Sequence, residues 1–317
     1  MENVRFNCLM AAILTPIIAV DIVLARPADR GGIVHFAGML PGLLLLIVIY
    51  YYCRWRGFEK LMNVSQSIFW ALIVIPVISL LIPVAARSPA PLVDDALTKI
   101  DGAMGFHTVA VVRAVSHVPA LRLTSAIAYN LIPPLIVASL LVPIFCGKTS
   151  ASRRYIAAVV VAAVITSALF ALWPAVGPWT TEGFAPTAEQ AKTYTALASL
   201  KAGTPIPVNS KSSGIVAFPS FHVVLAVLSI VSMWRIRWAR WIVFTLGVMV
   251  CISTVTTGWH YGIDVIGGLV ATCVSCVAAD NLMSVTRNVE PAMVNVLTSE
   301  ESTGSRGMAR TGLKFPG

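Results

Sequence analysis

The residues best suited to chemistry lie in two short polar stretches that open apolar runs. In Gly258-Trp259-His260-Tyr261-Gly262-Ile263-Asp264, a histidine and an aspartate stand four positions apart. On a helix that spacing puts both on one face, where the carboxylate can accept from one imidazole nitrogen and leave the other free to attack or to take a proton. In Ala217-Phe218-Pro219-Ser220-Phe221-His222, Pro219 fits the opening turn of a helix, where no N–H is needed. The amides around Ser220 and Phe221 would then project from the helix end as an anion site, with the Ser220 hydroxyl as a further donor and His222 half a turn on. A single histidine at a membrane boundary is ordinarily an amphipathic residue; two in this context point to a site. Two histidines and a carboxylate also make a common set of metal ligands. Asp264 is better placed to support His260 than to join it on a metal, so no metal or organic cofactor is expected, although the residues alone leave both arrangements open.

The scaffold for these residues must be built in lipid. The 317 residues are 57% hydrophobic and 12% charged, against about 25% charged in soluble domains, and the mean hydropathy is +0.82. A hydrocarbon core about 30 Å thick needs ~20 apolar residues per helix. Such windows occur near 8–25, 33–53, 67–86, 123–145, 154–173, 217–235, 239–257 and 261–280. The expected fold is all-α, a polytopic membrane helix bundle of about eight transmembrane helices. Asp21 and the unsuitable ending Leu24-Ala25-Arg26-Pro27 make the first window a membrane helix rather than a cleaved signal peptide. Gly267 and Gly268 in the last window would let a neighbouring helix approach closely.

Cations in short loops orient the bundle. Arg54, Arg56 and Lys60, then Lys148, Arg153 and Arg154, then Arg235, Arg237 and Arg240 belong in the cytoplasm. Both termini are then inside, and the connections 87–122 and 174–216 face outward. The polar stretches would look to the periplasm or exterior of an inner (plasma) membrane. Three regions are expected: N-terminal membrane helices and a cytoplasmic loop at 1–66, a membrane catalytic domain at 67–285, and a disordered cytoplasmic tail at 286–317, rich in Ser, Thr, Glu, Gly and Arg. The segment 91–122 is too polar to span, yet Leu97, Ile100, Met104, Phe106 and Val109 recur near helical spacing. It is expected to lie on the membrane surface and cover the bundle, with His107, Arg113 and His117 as the alternative substrate contacts. The six cysteines lie mostly in or beside apolar runs and form no zinc-type cluster. A net charge of +9 does not imply nucleic acid here, because no basic helix or aromatic RNA-binding motif accompanies it.

At these motifs the sequence resembles the type 2 phosphatidic acid phosphatase superfamily, whose second motif reads roughly PSGH and whose third reads SRxxxxxHxxxD. The matching residues are Pro219-Ser220-Phe221-His222, and Ser253-Thr254 through His260 to Asp264. The resemblance spans roughly residues 90–280. It implies a six-helix phosphatase-type core, a lipid phosphate or phospholipid substrate, and roles: His260 attacks phosphorus, Asp264 orients it, and His222 protonates the leaving oxygen. The chain departs from the pattern in three places. The first motif, KxxxxxxRP, has no match, Phe221 replaces a glycine, and Thr254 stands where the family has its phosphate-binding arginine. The inositol phosphorylceramide synthase-like branch shares the FPSxH form, lacks that arginine and carries a proline-rich stretch. Phe170-Ala171-Leu172-Trp173-Pro174-Ala175-Val176-Gly177-Pro178-Trp179 resembles that stretch. Without the arginine, Ser220, the helix-end amides at Ser220 and Phe221, and one loop cation must hold phosphate. Lys211, close before the motif, is the favoured cation, with Arg113 and Lys201 behind it. A lipid phosphate phosphatase is the first expectation and a head-group phosphotransferase the second. A non-catalytic lipid-binding or transport protein is the third, but no inverted repeat is visible.

Overall fold

The structure, a computed structural model, describes residues 2–24, 30–204 and 214–308. Among the described residues it is all-helical. In order these are α1 (Glu2–Leu24), α2 (Arg30–Arg56), α3 (Glu59–Ala86), α4 (Asp94–Ala103), α5 (Thr108–Ser116) and α6 (Pro119–Tyr129), followed by α7 (Ile132–Phe145) and α8 (Thr149–Leu172). A 3-10 turn at Pro178–Thr180 then precedes α9 (Ala188–Lys201), α10 (Phe221–Met233), α11 (Arg240–Thr256) and α12 (Gly262–Met308).

Five described helices are long and apolar enough to cross a membrane: α1, the Gly38–Arg56 part of α2, α3, α8 and the Gly262–Val285 part of α12. The chain is thus built as a multi-pass membrane protein. Three of the eight expected windows take other forms. The window at 123–145 is split into α6 and α7, bent by 43°. Pro133 and Pro134 lack the amides that would carry a helix through Asn130 and Leu131, whereas the first turn of a new helix accepts them. Helices α10 and α11 are apolar but only 13 and 17 residues long; the turn that carries Pro219 and Ser220 takes the start of the first window, whereas α11 nearly fills its own. The backbone of α12 runs on to Met308.

Helix α8 is the hub, packed on α3, α7, α10 and α12. Its Ala157, Ala158, Ala162 and Ala163 are buried, and side chains this small let neighbours come close where lipid offers no hydrophobic drive. Polar contacts add to this: Ser152 donates to the Leu140 carbonyl at 2.8 Å and lies 3.2 Å from the Ser67 hydroxyl. Helix α2 packs along α3 and leaves Leu44, Leu45, Val48 and Tyr52 exposed, as a lipid-facing surface must.

The two ends of the bundle differ in charge. At one end the short basic turns meet: Lys148 donates to the Arg235 carbonyl, Arg153 pairs with Glu2, and Arg154 pairs with Asp280. At the other end α4 packs on the start of α12 and on the Pro178–Thr180 turn as a cap, while α5 packs on α11 and α9 on α3. The segment 91–122, expected to lie on the membrane surface and cover the bundle, forms α4, α5 and the start of α6. Leu97 is buried, but Ile100 and Met104 are exposed, and Asp94 and Asp101 are buried instead. Seven positions apart, the two aspartates share the inner face of α4, and their partners define the site.

Candidate active site

His260 lies in the turn between α11 and α12, 3% exposed. Its Nδ1 is 2.9 Å from the Ala217 carbonyl and 3.2 Å from Asp264 Oδ2. Both neighbours are acceptors, so Nδ1 carries the proton and Nε2 keeps its lone pair. Burial pushes the His260 imidazole down to about 4, only partly offset by the hydrogen bond to Ala217. The pairing of His260 with Asp264 is therefore present, but not as two residues on one helical face. His260 stands two residues before α12, and Asp264 reaches back from the first turn, where its Oδ2 also accepts from the Tyr261 amide at 2.9 Å. The first-turn amides lack partners within the helix, and here side-chain acceptors supply them. The Trp259 and His260 amides donate to the Thr254 carbonyl at 3.2 and 3.1 Å, and Gly258, at φ +76°, turns the chain out of α11.

Ser220 caps α10, its hydroxyl oxygen accepting from the Val223 amide at 3.5 Å. Pro219 thus sits just before the helix rather than in its first turn. The Ser220 amide is not free for an anion: it donates to the Asp264 carbonyl at 3.1 Å and ties the two motifs together. The amides of Phe221 and His222 open the helix and remain for that task. The Phe221 side chain packs into the main core. Gly267 and Gly268 make this contact possible, since a Cβ on Gly268 would lie 2.8 Å from the Ser220 carbonyl oxygen, and one on Gly267 3.0 Å from the Phe218 ring.

His222 is set by aromatic stacking. Tyr129, at the end of α6, lies over it with ring centroids 4.3 Å apart and 24° between planes. Tyr129 also stacks on Trp259 at 6.0 Å, and Trp259 meets Trp179 edge-on at 5.7 Å. The two histidine rings end with centroids 6.2 Å apart, tilted by 58°.

The acidic cap holds this arrangement from behind. Asp101 accepts from the Gly262 and Ile263 amides at 2.7 and 2.8 Å and from the Thr108 hydroxyl at 3.4 Å, so α4 caps α12. Asp94 accepts from the Val176 and Gly177 amides and from the Tyr261 hydroxyl. Burial raises the Asp94 carboxyl above its ordinary value, opposed by those three hydrogen bonds. The buried stretch 174–179 is thereby fastened next to the histidines. Nothing in hydropathy marks Asp94, Asp101 or Tyr129; the spacing of the two aspartates was the one available signal.

The candidate cations fare unequally. Lys211 lies outside the described residues. Lys201 donates to the Ser88 and Ala90 carbonyls at 3.0 and 2.8 Å, which turns it to structural use. His107, Arg113 and His117 are exposed, and no hydrogen bond or ring contact joins them to the two histidines among the described residues. At the position of the family arginine, Thr254 is buried and donates to the Cys251 carbonyl. Among the described residues no three His, Cys, Asp or Glu side chains converge as a metal would require.

The constellation is thus a neutral imidazole with one free nitrogen, a second imidazole facing it, and a helix opening alongside. Among known protein families, the PAP2 superfamily matches residues 95–278, more than half of the chain and all of this constellation. Neither a curated protein nor a solved structure matches.

Proposed function

Because the chain belongs to the PAP2 superfamily, we propose that it is an integral-membrane lipid phosphate phosphatase working through a phosphohistidine on His260. The observation that carries this reading is the shared hydrogen bond from His260 Nδ1 to the Ala217 carbonyl and Asp264. It leaves Nε2 as the nucleophile. In the first step the Nε2 lone pair forms a bond to phosphorus while the ester P–O bond breaks, and the departing alkoxide takes a proton from His222. An arriving phosphate dianion favours the protonated form of His222 that this step needs. In the second step water attacks the phosphohistidine, His222 takes its proton, and phosphate leaves with His260 restored. Charge on the phosphoryl oxygens is met by the amides of Phe221 and His222 and by the Ser220 hydroxyl, with Lys211 as the proposed cation. The placement of the site at the end away from the basic turns supports action on the non-cytoplasmic face of an inner (plasma) membrane. With α6–α7 counted once and α10 and α11 each crossing in a thinned region, the bundle would have the eight crossings this requires.

A second reading is a head-group phosphotransferase of the inositol phosphorylceramide synthase type. The burial of the 174–179 stretch beside Trp259 favours it, because that stretch carries the resemblance to the branch and a covered site admits an alcohol in place of water. The two readings part in one assay. Protein purified in detergent is given phosphatidic acid, isoprenyl phosphates, or phosphatidylinositol with a diacylglycerol or ceramide acceptor. Free phosphate marks the phosphatase, head-group exchange without phosphate marks the transferase, and no turnover on any of them rejects both. In the same assay Lys211→Ala should raise KM more than it lowers kcat.

Two further outcomes follow from the packing. Gly268→Ala drives a Cβ against the Ser220 carbonyl, which must shift the opening of α10. A displacement of that order is expected to lower kcat roughly 10- to 100-fold while the protein still folds; unchanged kcat would show that the two motifs need not touch. Tyr129→Leu removes the stack on His222 and is expected to reduce kcat about tenfold with little change in KM. Tyr129→Phe, which keeps the ring, should stay close to the parent, and equal losses in both would assign the effect to the hydroxyl instead.

A further inference from the structure

At the basic end of the bundle, α8, α10 and α12 part to leave a cavity of about 800 Å³. Lys148, Arg154 and Arg235 stand around it with a single carboxylate, Asp280, and Ala158 and Leu228 form part of its inner wall. Arg154 is committed to Asp280 through two hydrogen bonds of 2.6 and 2.7 Å, and Lys148 to the Arg235 carbonyl. The Arg235 side chain is exposed and pairs with no carboxylate among the described residues. Trp234 lines the mouth, and Trp234, Trp238 and Trp241 are 44%, 64% and 56% exposed. Exposed tryptophans in a membrane protein sit at the level of the lipid headgroups.

A cavity at that level, with positive charge in excess and an apolar inner wall, suits an amphiphile with an anionic head. A small soluble anion would leave the apolar wall empty, and a zwitterionic head would leave Arg235 without net neutralisation. We propose that the cavity binds an anionic phospholipid of the leaflet opposite the histidines, its phosphate on Arg235 and an acyl chain along Ala158 and Leu228. Basic pockets between transmembrane helices take anionic headgroups by the same physics. The bound lipid fastens the far ends of α10 and α12, the helices that open at His222 and Asp264. A ligand that binds only the folded bundle raises its thermal stability in proportion to occupancy.

The test uses the full chain in a neutral detergent, with thermal unfolding read against dihexanoyl phosphatidylglycerol, dihexanoyl phosphatidylcholine and glycerol 3-phosphate. Phosphatidylglycerol is expected to raise Tm with half-saturation roughly five- to tenfold lower than phosphatidylcholine. Arg235→Gln should lose that preference and Arg235→Lys should keep it. Arg237→Gln, exposed on the same turn but outside the cavity wall, should keep it as well. Equal loss in Arg235→Gln and Arg237→Gln means diffuse surface attraction, and equal potency of glycerol 3-phosphate means an anion site without a chain; either overturns the proposal, as does the absence of any preference between the two lipids. His260→Ala leaves this end of the bundle untouched and should show the same shift, so the cavity can fail without the phosphatase reading failing, and the reverse.

Discussion

Replacing His260 with alanine is expected to remove turnover altogether, by about 10⁴-fold or more, because the proposed nucleophile is gone. The loss should fall on kcat, and rapid acid quench with labelled substrate should trap phosphoenzyme in the parent and none in the variant. Normal turnover would falsify the nucleophile assignment. A loss of only about 10²-fold would point to a base acting on water. The pH profile adds a separate check. With its imidazole held down to about 4 by burial, His260 stays unprotonated through neutral and mildly acidic pH, so the nucleophile should not limit turnover between pH 5 and 7. Any fall there belongs to another group. The same burial has a cost for stability. Between the ordinary imidazole value of 6.5 and about 4 the unfolded chain binds a proton that the folded one does not, so this contribution is whole above 6.5 and is lost as pH falls toward 4. Thermal unfolding of the parent and of His260→Ala across that window checks the sign: the parent should lose more.

The second large effect is expected far from the phosphorus. Asp101→Ala strips the acceptor from the Gly262 and Ile263 amides and from Thr108, at a site 1% exposed. A buried donor left unmade costs roughly 1–3 kcal/mol, so stability should fall by a few kcal/mol and Tm by several degrees. Turnover should fall as well, by about 10²-fold, since Asp264 lies one residue beyond the amides that Asp101 holds and depends on that first turn for its aim. Asp101→Asn, which keeps one acceptor oxygen, should recover part of both. The informative split is between kcat and Tm: a lower Tm with unchanged kcat would leave Asp101 as a cap and nothing more. Since Asp101 touches no reacting atom, its role is positioning, and the recovery by asparagine is the readout that a purely apolar packing role would not produce.

The site is legible in the sequence where its signal is local. His260 and Asp264 announce themselves because four positions is a distance at which side chains meet, and they meet here although His260 precedes the helix. The same local rule misplaced Pro219, which stands before the cap of α10. It also missed that the Ser220 amide is taken by the Asp264 carbonyl. Hydropathy found the windows but not their shapes: it could not tell that Pro133 and Pro134 would break one of them, or that the turn before Phe221 would shorten α10.

By itself, then, the sequence determined that the chain is a multi-pass helical protein with two histidines and an aspartate at the openings of apolar helices. These are consequences of composition and of period, which each residue expresses with its near neighbours. Only the tertiary structure decided which groups hold those three residues: the Ala217 carbonyl for His260, Tyr129 for His222, Gly268 for the contact of the motifs, and Asp94 and Asp101 for the cap. Each of these joins positions far apart in the chain, so it depends on how helices of fixed pitch pack against α8 and one another, and no repeat along the sequence records that.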